Sequence, residues 1–172
     1  MKINFYVVIY LAAIVSANLT VSYFGPPAAI YCALIFIGLD LSLRDHRHDK
    51  WGGDWVKLWG LVSAGSLITI ALNVEAINIA IASAAAFGLA FIADAVVYAL
   101  LKDKKFLLRA NASNIAGAAT DSVIFPTLAF GAFMPLIILG QFAAKLVGGF
   151  VASLVIEKLK TANEETRSAE FI

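Results

Sequence analysis

The sequence predicts an all-α integral membrane protein with six transmembrane helices and both termini in the cytoplasm. Composition is the first reason: 61% of the 172 residues are hydrophobic, 15% are charged, and the mean hydropathy is +0.86. Soluble domains sit nearer half apolar and a quarter charged, because their surface must meet water. The second reason is patterning, since the charges fall in clumps between long uncharged runs. The third is length, because six of those runs are long enough to cross a bilayer.

The apolar segments are Ile3–Tyr23, Pro27–Leu43, Val56–Asn73, Ala76–Leu101, Ala110–Phe133 and Pro135–Leu159. Each has roughly 17–26 residues, which at ~1.5 Å rise per residue matches a hydrocarbon core of ~30 Å. The first follows Lys2 and reads as a span rather than a cleaved leader. SYFGPP separates the first two, and RDHRHDKWGGDW leads to the third, the shortest. There Trp51, Trp55 and Trp59 recur every four residues and read as an aromatic anchor at the headgroups. NVE joins the third and fourth, KDKKFLLR the fourth and fifth, and GAFMP turns the fifth tightly into the sixth. Residues 1–160 form one transmembrane domain and 161–172 a polar cytoplasmic tail.

Orientation follows from the basic residues. Lys2, Arg44, Arg47, Lys50, Lys57, Lys102, Lys104, Lys105, Arg109, Lys158, Lys160 and Arg167 all fall on one side if six helices alternate, twelve of the 13 in the chain. The positive-inside rule makes that side the cytoplasm. A missed or extra helix scrambles the alternation, so it supports the count as well as the orientation. The net charge of +1, with no basic stripe, argues against a nucleic-acid partner. A single cysteine, Cys32, permits no internal disulfide.

Function is sought in the polar residues that interrupt the apolar runs. Asp40, Asp94, Asp121 and Lys145 are ionisable, and each costs about 2.5–3.5 kcal/mol at a helix centre if it faces lipid. They are expected to face the bundle interior, where they either bind a solute or pair to fix packing. Asp121 lies ~18 Å beyond Arg109, and Lys145 lies ~20 Å from Lys158 on the neighbouring antiparallel helix. Opposite charges thus share one depth near the midplane. Gln141 is one turn from Lys145, and Asn111, Asn114, Ala118 and Asp121 form a stripe at helical spacing. The expectation is a polar seam between the fifth and sixth helices, at the depth where carriers bind substrate.

A second group lies toward the cytoplasm. Asp40 and Arg44 are four apart in DLSLR and suit one helix face, while Asp94 sits about two turns from the loop at Lys102. His46 and His48 alone make no metal signature, and no cofactor or metal is expected. No nucleophile–base constellation or phosphate-cradling glycine loop is present, which argues against an enzyme. Ala13 and Ala17 form a small-xxx-small patch suited to helix packing or to a further membrane subunit.

The order SANLTVSYFG, FIGLDLSLRD, FIAD, RANASNIAGAATDSVIF and GQFAAKLVGG along the chain resembles the putative vitamin uptake transporters, also called queuosine-precursor transporters. The resemblance implies import of a 7-deazaguanine base, chiefly 7-cyano-7-deazaguanine, across the cell inner membrane. It carries Asn18, Asp40, Arg44, Asp94, Ser113, Asp121 and Lys145 onto family motif positions. Gln141 departs from the acidic residue common there. Together with Asn114, Phe125 and Gln141 from the reading of the seam, the candidate substrate-binding set is Asn18, Asp40, Asn114, Asp121, Phe125, Gln141 and Lys145, with Arg44, Asp94 and Ser113 in gating or structural roles. Such a base offers ring N–H and exocyclic amine donors beside a carbonyl acceptor, which a carboxylate with an amide or ammonium can read. Phe125 or Phe142 suits stacking on its plane.

Three readings follow for the chain. It is a self-sufficient secondary transporter or facilitator, the substrate-binding membrane subunit of an energy-coupling importer, or a structural or pore-forming membrane protein. The expected partners are the small-molecule substrate and the lipid bilayer, with further copies of the chain or coupling subunits left open.

Overall fold

The computed structural model describes residues 5–36 and 55–151, and within them every regular element is helical. Asp40, Arg44, His46, His48, Trp51 and the polar tail lie outside the described residues. Six α-helices follow in order: α1 (Phe5–Phe24), α2 (described over Pro26–Phe36), α3 (Trp55–Leu72), α4 (Ile77–Leu100), α5 (Phe106–Phe130) and α6 (described over Pro135–Val151).

The breaks between helices have local chemical causes. Gly25 adopts φ +75°, where a side chain is strained, and its N–H donates to the Val21 carbonyl at 2.9 Å to close α1. Pro26 then opens α2, where its missing N–H costs no helical bond. Asn73 ends α3 and accepts from the Glu75 N–H at 3.0 Å, capping the short turn Val74–Ala76 that leads into α4. Gly131 repeats the left-handed stop at φ +65° after α5, and Pro135 opens α6.

The helices are assembled with small residues inside and large ones outside. Ala13, Ala28, Ala29, Ala76, Ala80, Ala82, Ala86, Ala90 and Ala129 are buried, while Leu67, Leu100, Leu136, Leu139 and Phe150 are more than 60% exposed. That inverts a water-soluble core and is the arrangement that lipid favours, because tails as apolar as leucine solvate large side chains and small ones let backbones approach. At Gly65 a Cβ would stand 2.8 Å from Cγ2 of Ile14, so α1 and α3 touch there without room for a methyl group. Gly88 meets the ring of Trp59 in the same way, and Gly140 meets Ile30. Trp59 therefore packs against α4 as well as showing part of its surface outward.

Among α1, α3, α4 and α5 the most extensive contact is between α4 and α5, while α1 packs on α3 and α3 on α4. One cluster joins Val21 of α1 to Ala28, Ala29 and Cys32 of α2, Ile79 and Ala82 of α4 and Ala129 of α5. Ala17 packs against it and Ala13 is buried, so the alanine patch of α1 is occupied within the chain rather than free for another subunit.

Among the described residues, Val7–Phe24 and Val74–Leu100 are both long and apolar enough to cross a membrane. With 25 residues α5 has the length but not the apolarity, because Asn111, Ser113, Asn114, Thr120, Asp121 and Ser122 interrupt it. The helix that departs most from a lipid-facing composition is the one that carries the candidate site.

Candidate functional site

Helices α5 and α6 are antiparallel neighbours joined by four residues, which fixes depth by counting. Asp121 is nine residues before the end of α5 and Lys145 ten after the start of α6, so both lie ~14–15 Å from the turn. That is about half of a ~30 Å hydrocarbon core. The Lys145 Nζ donates to Asp121 Oδ2 in a direct ion pair, and the equal depth expected from sequence is what the structure has.

Lys145 is held by a second acceptor. Its Nζ donates to Ser122 Oγ at 3.0 Å, and Ser122 Oγ in turn donates to the Ala118 carbonyl at 2.7 Å. Ser122 is fully buried, and sequence reading missed it because a serine one residue off the polar stripe looks like a packing residue. One turn further on, the buried Pro126 has no N–H to give to the Ser122 carbonyl, so the helix ladder lacks one bond beside the charged pair.

The pair is asymmetric. The Lys145 side chain is 11% exposed and that of Asp121 30%, so the carboxylate keeps an open side while the ammonium is enclosed. On the α6 face one turn before Lys145, Gln141 is 2% exposed and its Nε2 has no hydrogen-bond partner. A buried amide donor without an acceptor costs about 1–3 kcal/mol, which an incoming carbonyl offsets. The seam therefore offers one accessible acceptor, the Asp121 carboxylate, and one unsatisfied donor, the neutral Gln141 amide, beside a Lys145–Asp121 pair whose formal charges cancel.

The other sequence-derived residues have their own surroundings. Asn18 is buried on α1, and its Nδ2 donates to Thr69 Oγ1 of α3 at 3.4 Å. Thr69 passes its own proton to the Gly65 carbonyl at 2.8 Å, and Ser66 donates to the Ala80 carbonyl at 3.2 Å. Phe125, one turn beyond Asp121, packs against the apolar cluster of α1, α2 and α4, and Phe142 is half-buried beside Gln141. Asn111 and Asn114 are exposed two turns or more before Asp121, whereas Ser113 is buried. Asp94, on α4, faces Gly117 of α5, since a Cβ at Gly117 would stand 3.5 Å from Cβ of Asp94. Among the described residues no group of three His, Cys, Asp or Glu side chains is placed to hold a metal.

A family model described as putative vitamin uptake transporter matches residues 3–159. No curated protein and no solved structure matches the chain. Because the family match runs through all six helices and includes both partners of the Asp121–Lys145 pair, the chain belongs to the putative vitamin uptake transporter family, a membrane transporter of a small molecule and not an enzyme.

Proposed function

We propose that the protein imports a 7-deazaguanine base, chiefly 7-cyano-7-deazaguanine, across the cell inner membrane through the α5–α6 seam. The observation that carries the reading is the unsatisfied Gln141 amide beside the half-open Asp121 carboxylate. The base has the complementary edge: ring N–H and exocyclic amine donate to Asp121, and the neighbouring carbonyl accepts from Gln141 Nε2 or Lys145. Phe125 and Phe142 supply apolar walls for the ring. In the closed seam the Gln141 nitrogen is covered, so entry of the base parts α5 from α6.

The proposal includes six spans with both ends in the cytoplasm, for which the one-sided distribution of basic residues is the support. The chain acts alone as a secondary transporter or facilitator. Occupation of the Ala13/Ala17 patch by internal packing favours this over a subunit that docks coupling ATPases there. The test is uptake of labelled 7-cyano-7-deazaguanine into liposomes holding the purified chain and no other subunit. Saturable uptake supports the proposal; binding without uptake transfers the chain to the coupled-subunit class, and neither binding nor uptake removes the substrate assignment.

A further inference from the structure

Three buried side-chain polar atoms among the described residues lack a hydrogen-bond partner: Asp94 Oδ1, Arg109 Nε and Gln141 Nε2. Gln141 belongs to the solute seam. The other two stand on facing helices and are complementary, an acceptor without a donor and a donor without an acceptor. They share one contact. Asp94 faces α5 at Gly117, while the guanidinium carbon of Arg109 lies 3.8 Å from the centre of the Tyr98 ring, one turn along α4 from Asp94. Arg109 is thus held on an aromatic face one turn short of the carboxylate.

Both atoms are covered by protein, so neither meets a ligand in this arrangement; what each lacks is what the other holds. We infer that Arg109 alternates between the Tyr98 ring and the Asp94 carboxylate, and that this exchange is a gate on the side of the solute seam nearer the Lys102–Arg109 loop. In the arrangement seen here the stack is made and the ion pair is open. In the other, the guanidinium leaves the ring and pairs with Asp94, a shift of about one helical turn, ~5.4 Å, shared between the long side chain and a slide of α4 past α5. The contact permits a slide because it is built from small residues: Gly117 lies against Ala90, whose carbonyl oxygen would be 3.2 Å from a Cβ at Gly117. Packed interfaces of this kind take discrete arrangements rather than deforming continuously. The inference rests on the transporter reading of the chain but not on the identity of its solute.

Two experiments test it. Tyr98→Leu removes the stack and leaves both charges, so the closed pair is favoured. Uptake of labelled 7-cyano-7-deazaguanine into proteoliposomes is expected to fall about tenfold, whereas Tyr98→Phe, which keeps the ring, transports like the wild type. Wild-type uptake in Tyr98→Leu overturns the gate. The second experiment needs no substrate: in the Tyr98→Leu background, thermal unfolding is followed for Asp94→Asn, Arg109→Gln and the double variant. If the two residues pair, either substitution alone lowers the midpoint at least as far as both together. Additive losses overturn the gate. A wild-type chain that takes up no base counts against the proposed function and not against the gate, which the unfolding cycle still decides.

Discussion

The α1–α3 contact and the α5–α6 seam are both polar, yet they solve opposite problems. Between α1 and α3, Asn18 and Thr69 are neutral, buried, and directed at one another or at the Gly65 carbonyl, and Gly65 closes the gap to Ile14 with no room to spare. Between α5 and α6 the groups are charged, one carboxylate is partly open, and a neighbouring amide is left without an acceptor. The first contact is complete in itself and locks two helices. On the proposed reading the second is completed by a solute that supplies an acceptor to Gln141 and a donor to the open side of Asp121, and that is what would separate a binding site from a packing site even though both bury polar side chains.

The largest effect expected from breaking this contrast comes at the charged pair. Lys145→Ala leaves Asp121 without its cation and Ser122 without its donor, and is expected to destabilise the chain by about 3–5 kcal/mol. Adding Asp121→Asn removes the stranded charge and is expected to restore most of that loss, read as recovery of the thermal unfolding midpoint. A double variant no more stable than Lys145→Ala alone would show that the destabilisation has a source other than the pair.

An intermediate effect is expected at the neutral contact. Gly65→Val drives a branched side chain into Ile14, where even a Cβ would be at 2.8 Å, and overpacking of this kind costs about 1–3 kcal/mol. Solute affinity should stay within about twofold of wild type. A large loss of affinity would join the two contacts into one site and erase the distinction drawn above.

The smallest effect belongs to Thr69→Val, which keeps volume but loses the hydroxyl between Asn18 and the Gly65 carbonyl. Hydrogen bonds between membrane helices average about 0.6 kcal/mol, so the unfolding midpoint should drop slightly and uptake should not change. Loss of uptake in a well-folded Thr69→Val would return Asn18 to the substrate-binding set in which its motif position first placed it.

These contrasts also explain what was legible beforehand. Helices could be read because long apolar runs bounded by polar or turn residues mark them, and α3 and α4 fall within a residue of the expected segments; of the six expected spans, Val7–Phe24 and Val74–Leu100 have the length and apolarity to cross a membrane among the described residues. The Asp121–Lys145 pair could be read because a four-residue turn makes α5 and α6 adjacent and equates their depths. Helix α5 begins at Phe106, one turn earlier than the apolar run, because the run is bounded at Arg109, a charge that lies within the helix and stacks on Tyr98 of α4. Partners on helices distant in sequence were not legible. Periodicity gives the face that Asn18 occupies but not that Thr69 stands opposite it, nor that Arg109 rests on Tyr98 while Asp94 goes unpaired. Ser122 was hidden for a related reason, as its role depends on where a lysine from another helix arrives.

The central claim, that the α5–α6 seam holds the solute, is tested most directly by equilibrium binding of labelled 7-cyano-7-deazaguanine to the purified chain and to Asp121→Asn/Lys145→Ala, the variant in which the pair is removed without leaving a buried charge. Each lost hydrogen bond to a charged group in a desolvated site is worth about 1.5–3 kcal/mol, so affinity should fall at least ten- to a hundredfold while the variant melts cooperatively near the wild-type midpoint. A folded double variant that binds the base as tightly as the wild type would contradict the claim and leave the pair as packing.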